Sequence, residues 1–74
     1  MEIVSVECKF AADGRIRVKR VERNGRWLTV EQGRQWQDDN GRHVLIMLNG
    51  QARRLTLSPE LRWSLAADTR PAAL

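Results

Sequence analysis

Residues that carry chemistry are scarce in this chain. It has one cysteine, one histidine and no tyrosine among 74 residues. A lone Cys8 forms no intramolecular disulfide, and an unpaired thiol suits a reducing, cytoplasmic setting. With one histidine there is no His/Cys cluster for a metal, and no glycine-rich phosphate loop is present. The amino-terminal stretch MEIVSVECKF has neither a basic region nor a long apolar run, so it does not read as a signal peptide. No apolar run approaches the ~20 residues that span a bilayer. These absences argue against an enzyme, a cofactor, a metal and a membrane partner.

What is present is charge, and most of it is arginine. Thirteen basic side chains stand against nine acidic ones, for a net charge of +4, and eleven of the thirteen are arginine. Arginine forks onto phosphates and stacks on bases, so nucleic acid enters as a partner class. The same composition fits an ordinary soluble surface from a GC-rich, bacterial-type genome. A chain this short buries only ~60% of its unfolded surface, so packing quality or self-association must supply extra stability.

Four turn signals recur: Asp13-Gly14, Asn24-Gly25, Asn40-Gly41 and Asn49-Gly50. Short runs of Val, Ile, Leu, Thr and Trp lie between them, without a helical period. This predicts an all-β domain of five or six antiparallel strands in meander order over 1–66. Strong bending would make it a small SH3-like or OB-like barrel. Residues 67–74, rich in alanine with one proline, read as a flexible tail.

Opposed residues share a face, so pairing outward from each turn tests it. A three-residue loop Ala12-Asp13-Gly14 places Phe10 opposite Ile16 and Cys8 opposite Val18, all inward with Val4 and Val6. Asn24-Gly25 as a two-residue loop pairs Val21 with Leu28. Val18 and Val21 then disagree in phase, and one extra residue near Lys19-Arg20 repairs both hairpins, which predicts a β-bulge. Asn40-Gly41 as a loop pairs Trp36 with Leu45 and Asp38 with His43. Asn49-Gly50 pairs Met47 with Ala52, Leu45 with Arg54 and Val44 with Leu55. Ser58-Pro59-Glu60 reads as a turn, and Leu61, Trp63 and Leu65 as a last strand that pairs with the first.

One face of the central hairpin therefore carries Val44, Ile46, Leu48, Leu55 and Leu57, the expected core. The other carries Trp36, Leu45 and Met47 with Arg34 and Arg54 at the rim, a composition typical of protein interfaces. The leading expectation is a non-catalytic interaction module that forms a homodimer or docks a partner protein there, unless 31–37 or the tail folds over the cluster. The alternative is nucleic-acid binding. Arg15, Arg17 and Lys19 line the outward side of the second strand, Arg20 sits at the bulge, and Arg23 and Arg26 flank the turn. Trp27 offers a ring for base stacking. Glu7, Glu22 and Glu31 are expected to neutralise part of that surface. His43 reads as a surface histidine paired with Asp38, and Cys8 as a small core residue.

Overall fold

The computed structural model describes Glu2 to Ala66, and the expected tail lies outside those residues. Eight strands follow in order: β1 (Glu2–Ile3), β2 (Ser5–Phe10), β3 (Ile16–Arg23), β4 (Arg26–Thr29), β5 (Glu31–Asp38), β6 (Gly41–Leu48), β7 (Gln51–Leu57) and β8 (Trp63–Leu65). All pairings are antiparallel. Two sheets result, β1-β8-β7-β6-β5 and β2-β3-β4. No helix occurs among the described residues, hence none long and apolar enough to cross a membrane.

The chain changes sheets at two single residues. Val4 links β1 to β2 and donates its N–H to the Trp63 carbonyl; Val30 links β4 to β5 and donates to the Lys19 carbonyl. Both valines are buried. Reading β1–β2 and β4–β5 as two bent strands gives six in all, the upper count expected from the turns. The core lies between the sheets: Ile16, Val18 and Val21 from the smaller one face Val44, Ile46, Leu48, Leu55, Leu57 and Leu65 from the larger. Each such side chain contributes ~1.5–3 kcal/mol by leaving water.

The first hairpin turns through Ala12-Asp13-Gly14, with Phe10 opposite Ile16 and Cys8 opposite Val18. Gly14 takes a φ of 89°, and Ala11 N–H bonds to the Arg15 carbonyl. Glu7 pairs with Arg20 and Cys8 with Val18, which leaves Lys19 as the extra residue of a bulge. That brings Val18 and Val21 onto one buried face. The second and fourth hairpins turn at Asn24-Gly25 and Asn49-Gly50, where all four residues have positive φ. This is the mirror-image turn whose twist matches the flanking strands.

Several expectations need correction. The third loop is Asp39-Asn40, one residue earlier than Asn40-Gly41, so Asp38 opposes Gly41 and Trp36 opposes His43. The cause is steric: Gly41 has φ 128°, and a Cβ there would sit 2.1 Å from the Leu57 carbonyl oxygen. Its glycine serves a close approach between β6 and β7, not a turn. The shift moves Trp36 by two partners, so it stays on the face of Leu45 and Met47. The stretch 31–37 is strand, not loop, and it carries a second bulge around Gly33 and Arg34, opposite Leu45. Finally, Leu61 is not in the last strand. It stands in the turn after β7 with φ 67° and is 77% exposed. In that turn Ser58 Oγ accepts the Arg62 N–H at 3.1 Å. Phe10 faces its expected partner but lies beyond the larger sheet's cover, and stays exposed.

Candidate functional site

Two surfaces hold the residues singled out above. The first is the outward face of the larger sheet. Trp36 and His43 are cross-strand partners and stack with centroids 5.2 Å apart. The Arg34 guanidinium covers the Trp36 ring at 5.0 Å. His43 is only 3% exposed, which corrects its reading as a surface residue. Its Nδ1 lies 2.9 Å from Thr56 Oγ1 and its Nε2 2.7 Å from Asp38 Oδ1. The His43 hydrogen bond and the Asn40 backbone N–H hold the Asp38 carboxyl below its usual range, with help from the Arg54 charge. Hydroxyl, imidazole and carboxylate stand in the order used for nucleophilic catalysis. Here the ring is roofed by Trp36 and buried while Asp38 stays half-exposed, and the three groups tie β5, β6 and β7 together across their strands. Thr56 was overlooked, although counting outward from Asn49-Gly50 puts it opposite His43.

This stack answers what covers the second face of β6. Trp36 and Arg34 of β5 fold over it and leave Leu45 half-buried, while Met47 is 43% exposed beside Ala52 and Arg54. The structure thus brings Trp36, Leu45, Met47, Arg34 and Arg54 together on one face, though much of the tryptophan is already used internally.

The second surface is β3 with its neighbours. Ile16 and Val18 point inward, so alternation sends Arg15, Arg17 and Lys19 outward, and all three are exposed. Among the described residues none of them forms an ion pair. Lys9 stands opposite Arg17 across the ladder, a cation the sequence reading passed over. Arg20 is different. Its Nε bonds Glu7, and its guanidinium lies 5.2 Å from the centre of the Trp27 ring. Glu7 is held below the usual carboxylate range by that bond. Trp27, 44% exposed, keeps one ring face for Arg20. Arg26 opposes Arg23 and shares the side of Leu28, so it does not join this face; Glu31 lies in the other sheet. Arg23 is tied to Glu2 through two bonds of 3.0 and 2.9 Å.

Beside the cation row runs an open cleft of about 660 Å³. It exists because β4 pairs only with Arg20–Arg23, leaving the first half of β3 without a strand on that side. Two glutamines of β5 cross the gap. Gln35 Oε1 accepts the Ile16 N–H at 2.9 Å, and Gln35 Nε2 donates to the Ile16 carbonyl at 2.8 Å. Gln32 Oε1 accepts the Val18 N–H at 2.7 Å, and Gln32 Nε2 donates to the same Ile16 carbonyl at 2.7 Å. Side-chain amides thus supply the donors and acceptors that a neighbouring strand would.

Cys8 is half-buried against the core, and burial pushes its thiol pKa up. Among the described residues no three His, Cys, Asp or Glu side chains gather as metal ligands. No protein-family model, curated protein sequence or solved structure matches this chain.

Proposed function

We propose that this chain is a non-catalytic binding module that holds a single-stranded nucleic acid along β3. The observation that carries this reading is the row Arg15, Arg17 and Lys19, exposed, in no salt bridge among the described residues and set along an open cleft. Like charges gathered side by side cost stability in the free protein, offset in part by Glu7 near Lys19, and a polyanion relieves that cost. The partly exposed Trp27, with Arg20 on its ring, supplies a platform of the kind that bases stack on. We read the two sheets as the walls of a small, open SH3-like or OB-like barrel whose seam is the β3–β5 cleft. A cytoplasmic setting fits both the unpaired thiol and this partner.

The test is fluorescence anisotropy of a labelled mixed-sequence single strand over a salt series. Three phosphate contacts on a single strand predict a log–log salt slope of about −2. The triple variant R15Q/R17Q/K19Q flattens that slope, and Trp27→Ala weakens binding by ~1–3 kcal/mol per stacked base. Binding that ignores salt, or that survives the triple variant, ends this reading.

A second reading keeps the larger sheet's outer face as a protein contact, for a homodimer or a partner protein, through Trp36, Leu45 and Met47. What favours it is Met47, an exposed apolar side chain with Ala52 beside it and Arg54 at the rim. Met47→Glu then removes the association made through this face, followed by concentration-dependent amide shifts at Trp36, Leu45 and Met47, and leaves nucleic-acid binding unchanged.

A further inference from the structure

The smaller sheet has an edge that its own sequence can complete. β2 is the outer strand of β2-β3-β4. Ala11 N–H bonds to Arg15 across the hairpin, so strand alternation points the backbone groups of Val6, Cys8 and Phe10 the other way. Val4, on that same side, donates to Trp63; beyond it, no strand among the described residues pairs with this edge. The edge bears apolar side chains on its inner side: Val6 and Cys8 are half-buried, and Phe10 is 55% exposed. Its outer side alternates Glu7 and Lys9. Edges kept apart by charge use inward-pointing or like charges, and this one has neither.

We infer that β2 pairs antiparallel with β2 of a second copy, about a twofold axis at Cys8. In this register Cys8 opposes Cys8 of the partner subunit as a hydrogen-bonded pair. Glu7 opposes the partner's Lys9 and Lys9 the partner's Glu7, so both outer pairs are complementary. Val6 opposes the partner's Phe10 on the inner side, which covers the exposed ring. The neighbouring registers fail: an axis at Glu7 sets two glutamates face to face, and one at Lys9 sets two lysines. The three-stranded sheets then join into one sheet of six strands. This surface is separate from the cleft and from Met47.

The experiment is sedimentation velocity and native mass spectrometry of the full chain over a wide concentration range. The parent protein shows a concentration-dependent dimer. Lys9→Glu opposes Glu to Glu7, and Glu7→Lys opposes Lys to Lys9; each weakens dimerisation by roughly tenfold or more. An equimolar mixture of the two variants restores both complementary pairs and gives the heterodimer in preference to either homodimer. Circular dichroism establishes that each variant is folded. A second measurement places the axis. Directly opposed residues of a hydrogen-bonded pair have Cα atoms ~5.5 Å apart, within disulfide range. Diamide, which takes up two electrons and two protons as one S–S bond forms, therefore joins Cys8 to Cys8 in the dimer. A parent that stays monomeric, variants that dimerise as the parent does, or a dimer that diamide leaves uncrosslinked each overturns the inference.

Discussion

The glutamine bridge between β3 and β5 makes a quantitative prediction, because its two side chains share one acceptor. Methionine has nearly the shape of glutamine and none of its polar atoms. Gln35→Met leaves the Ile16 N–H without its acceptor, while the Ile16 carbonyl keeps Gln32. Gln32→Met leaves the Val18 N–H bare, while the same carbonyl keeps Gln35. A buried backbone donor without a partner costs ~1–3 kcal/mol. The cleft is partly open and these bonds are only part-buried, so we place each single variant in the lower half of that range, at ~1–2 kcal/mol. The double variant loses both amides and the last donor to the Ile16 carbonyl. It should be less stable than the sum of the singles by ~1 kcal/mol.

Urea unfolding of the parent, both singles and the double closes this cycle by linear extrapolation. Amide exchange adds a local signature: Val18 loses protection in Gln32→Met and Ile16 in Gln35→Met. A double variant that is additive within ~0.3 kcal/mol would refute the shared carbonyl. Single variants costing under ~0.5 kcal/mol would refute the bridge itself, since surface substitutions fall in that range.

Other consequences follow from single positions. Gly41→Ala drives a Cβ into the Leu57 carbonyl from a φ of 128°, and a loss of at least ~3 kcal/mol in thermal unfolding is expected. Gly25→Ala, at φ 78° with nothing within 4 Å, pays only the left-handed backbone cost of ~1–2 kcal/mol. Asp38 is depressed by His43 first and Asn40 next. A depressed folded-state pKa contributes stability that is complete above the unfolded value near ~4 and is lost as pH falls through the lowered one. Asp38→Asn therefore flattens the acid limb of the melting-temperature profile there, and an unchanged limb would count against the bond.

How far the sequence reached depends on what kind of constraint each residue obeys. Strand phase is arithmetic, so the hairpins around Gly14, Gly25 and Gly50 and the bulge at Lys19 were all legible from apolar alternation. The turn before Gly41 was not, because the glycine answers a contact with Leu57 sixteen residues away along the chain, and Asn-Gly looks the same in either role. Phase also gives a face and not a depth: Phe10 sits on the inner side with nothing above it. Gln32 and Gln35 were invisible as structural groups. A polar residue in a strand reads as solvated unless the facing edge is known to be unpaired, and that edge exists only once the chain has switched sheets at Val30. His43 was misjudged for a related reason, since its roof comes from Trp36 on the strand before it.

The bulge at Lys19 connects the core to the proposed site, and deleting the residue tests the connection. With Lys19 present, Val21 and Leu28 face inward with Ile16 and Val18, and the outward side of β3 keeps a cation at 15, 17 and 19. Without it, Arg20 follows Val18 and the strand alternates strictly: Ile16, Val18 and Val21 stay inward, Arg20 takes the outward place of Lys19, and Cys8–Val18 and Glu7–Arg20 become consecutive ladder pairs. The core phase and both hairpin registers survive; what is lost is one cation of the row and the local bend and twist that the extra residue gives β3. Lys19→Gln keeps the bulge and removes only the charge. The deletion should therefore fold with its core intact, and amide exchange should show the β2–β3 ladder unbroken through Glu7 and Cys8. Lys19→Gln should leave stability within ~0.5 kcal/mol of the parent and lower the nucleic-acid salt slope by about 0.7. A deletion variant that unfolds would show that the bend at Lys19 is itself needed for β3 to wrap onto the larger sheet, and that strand phase alone does not set the core.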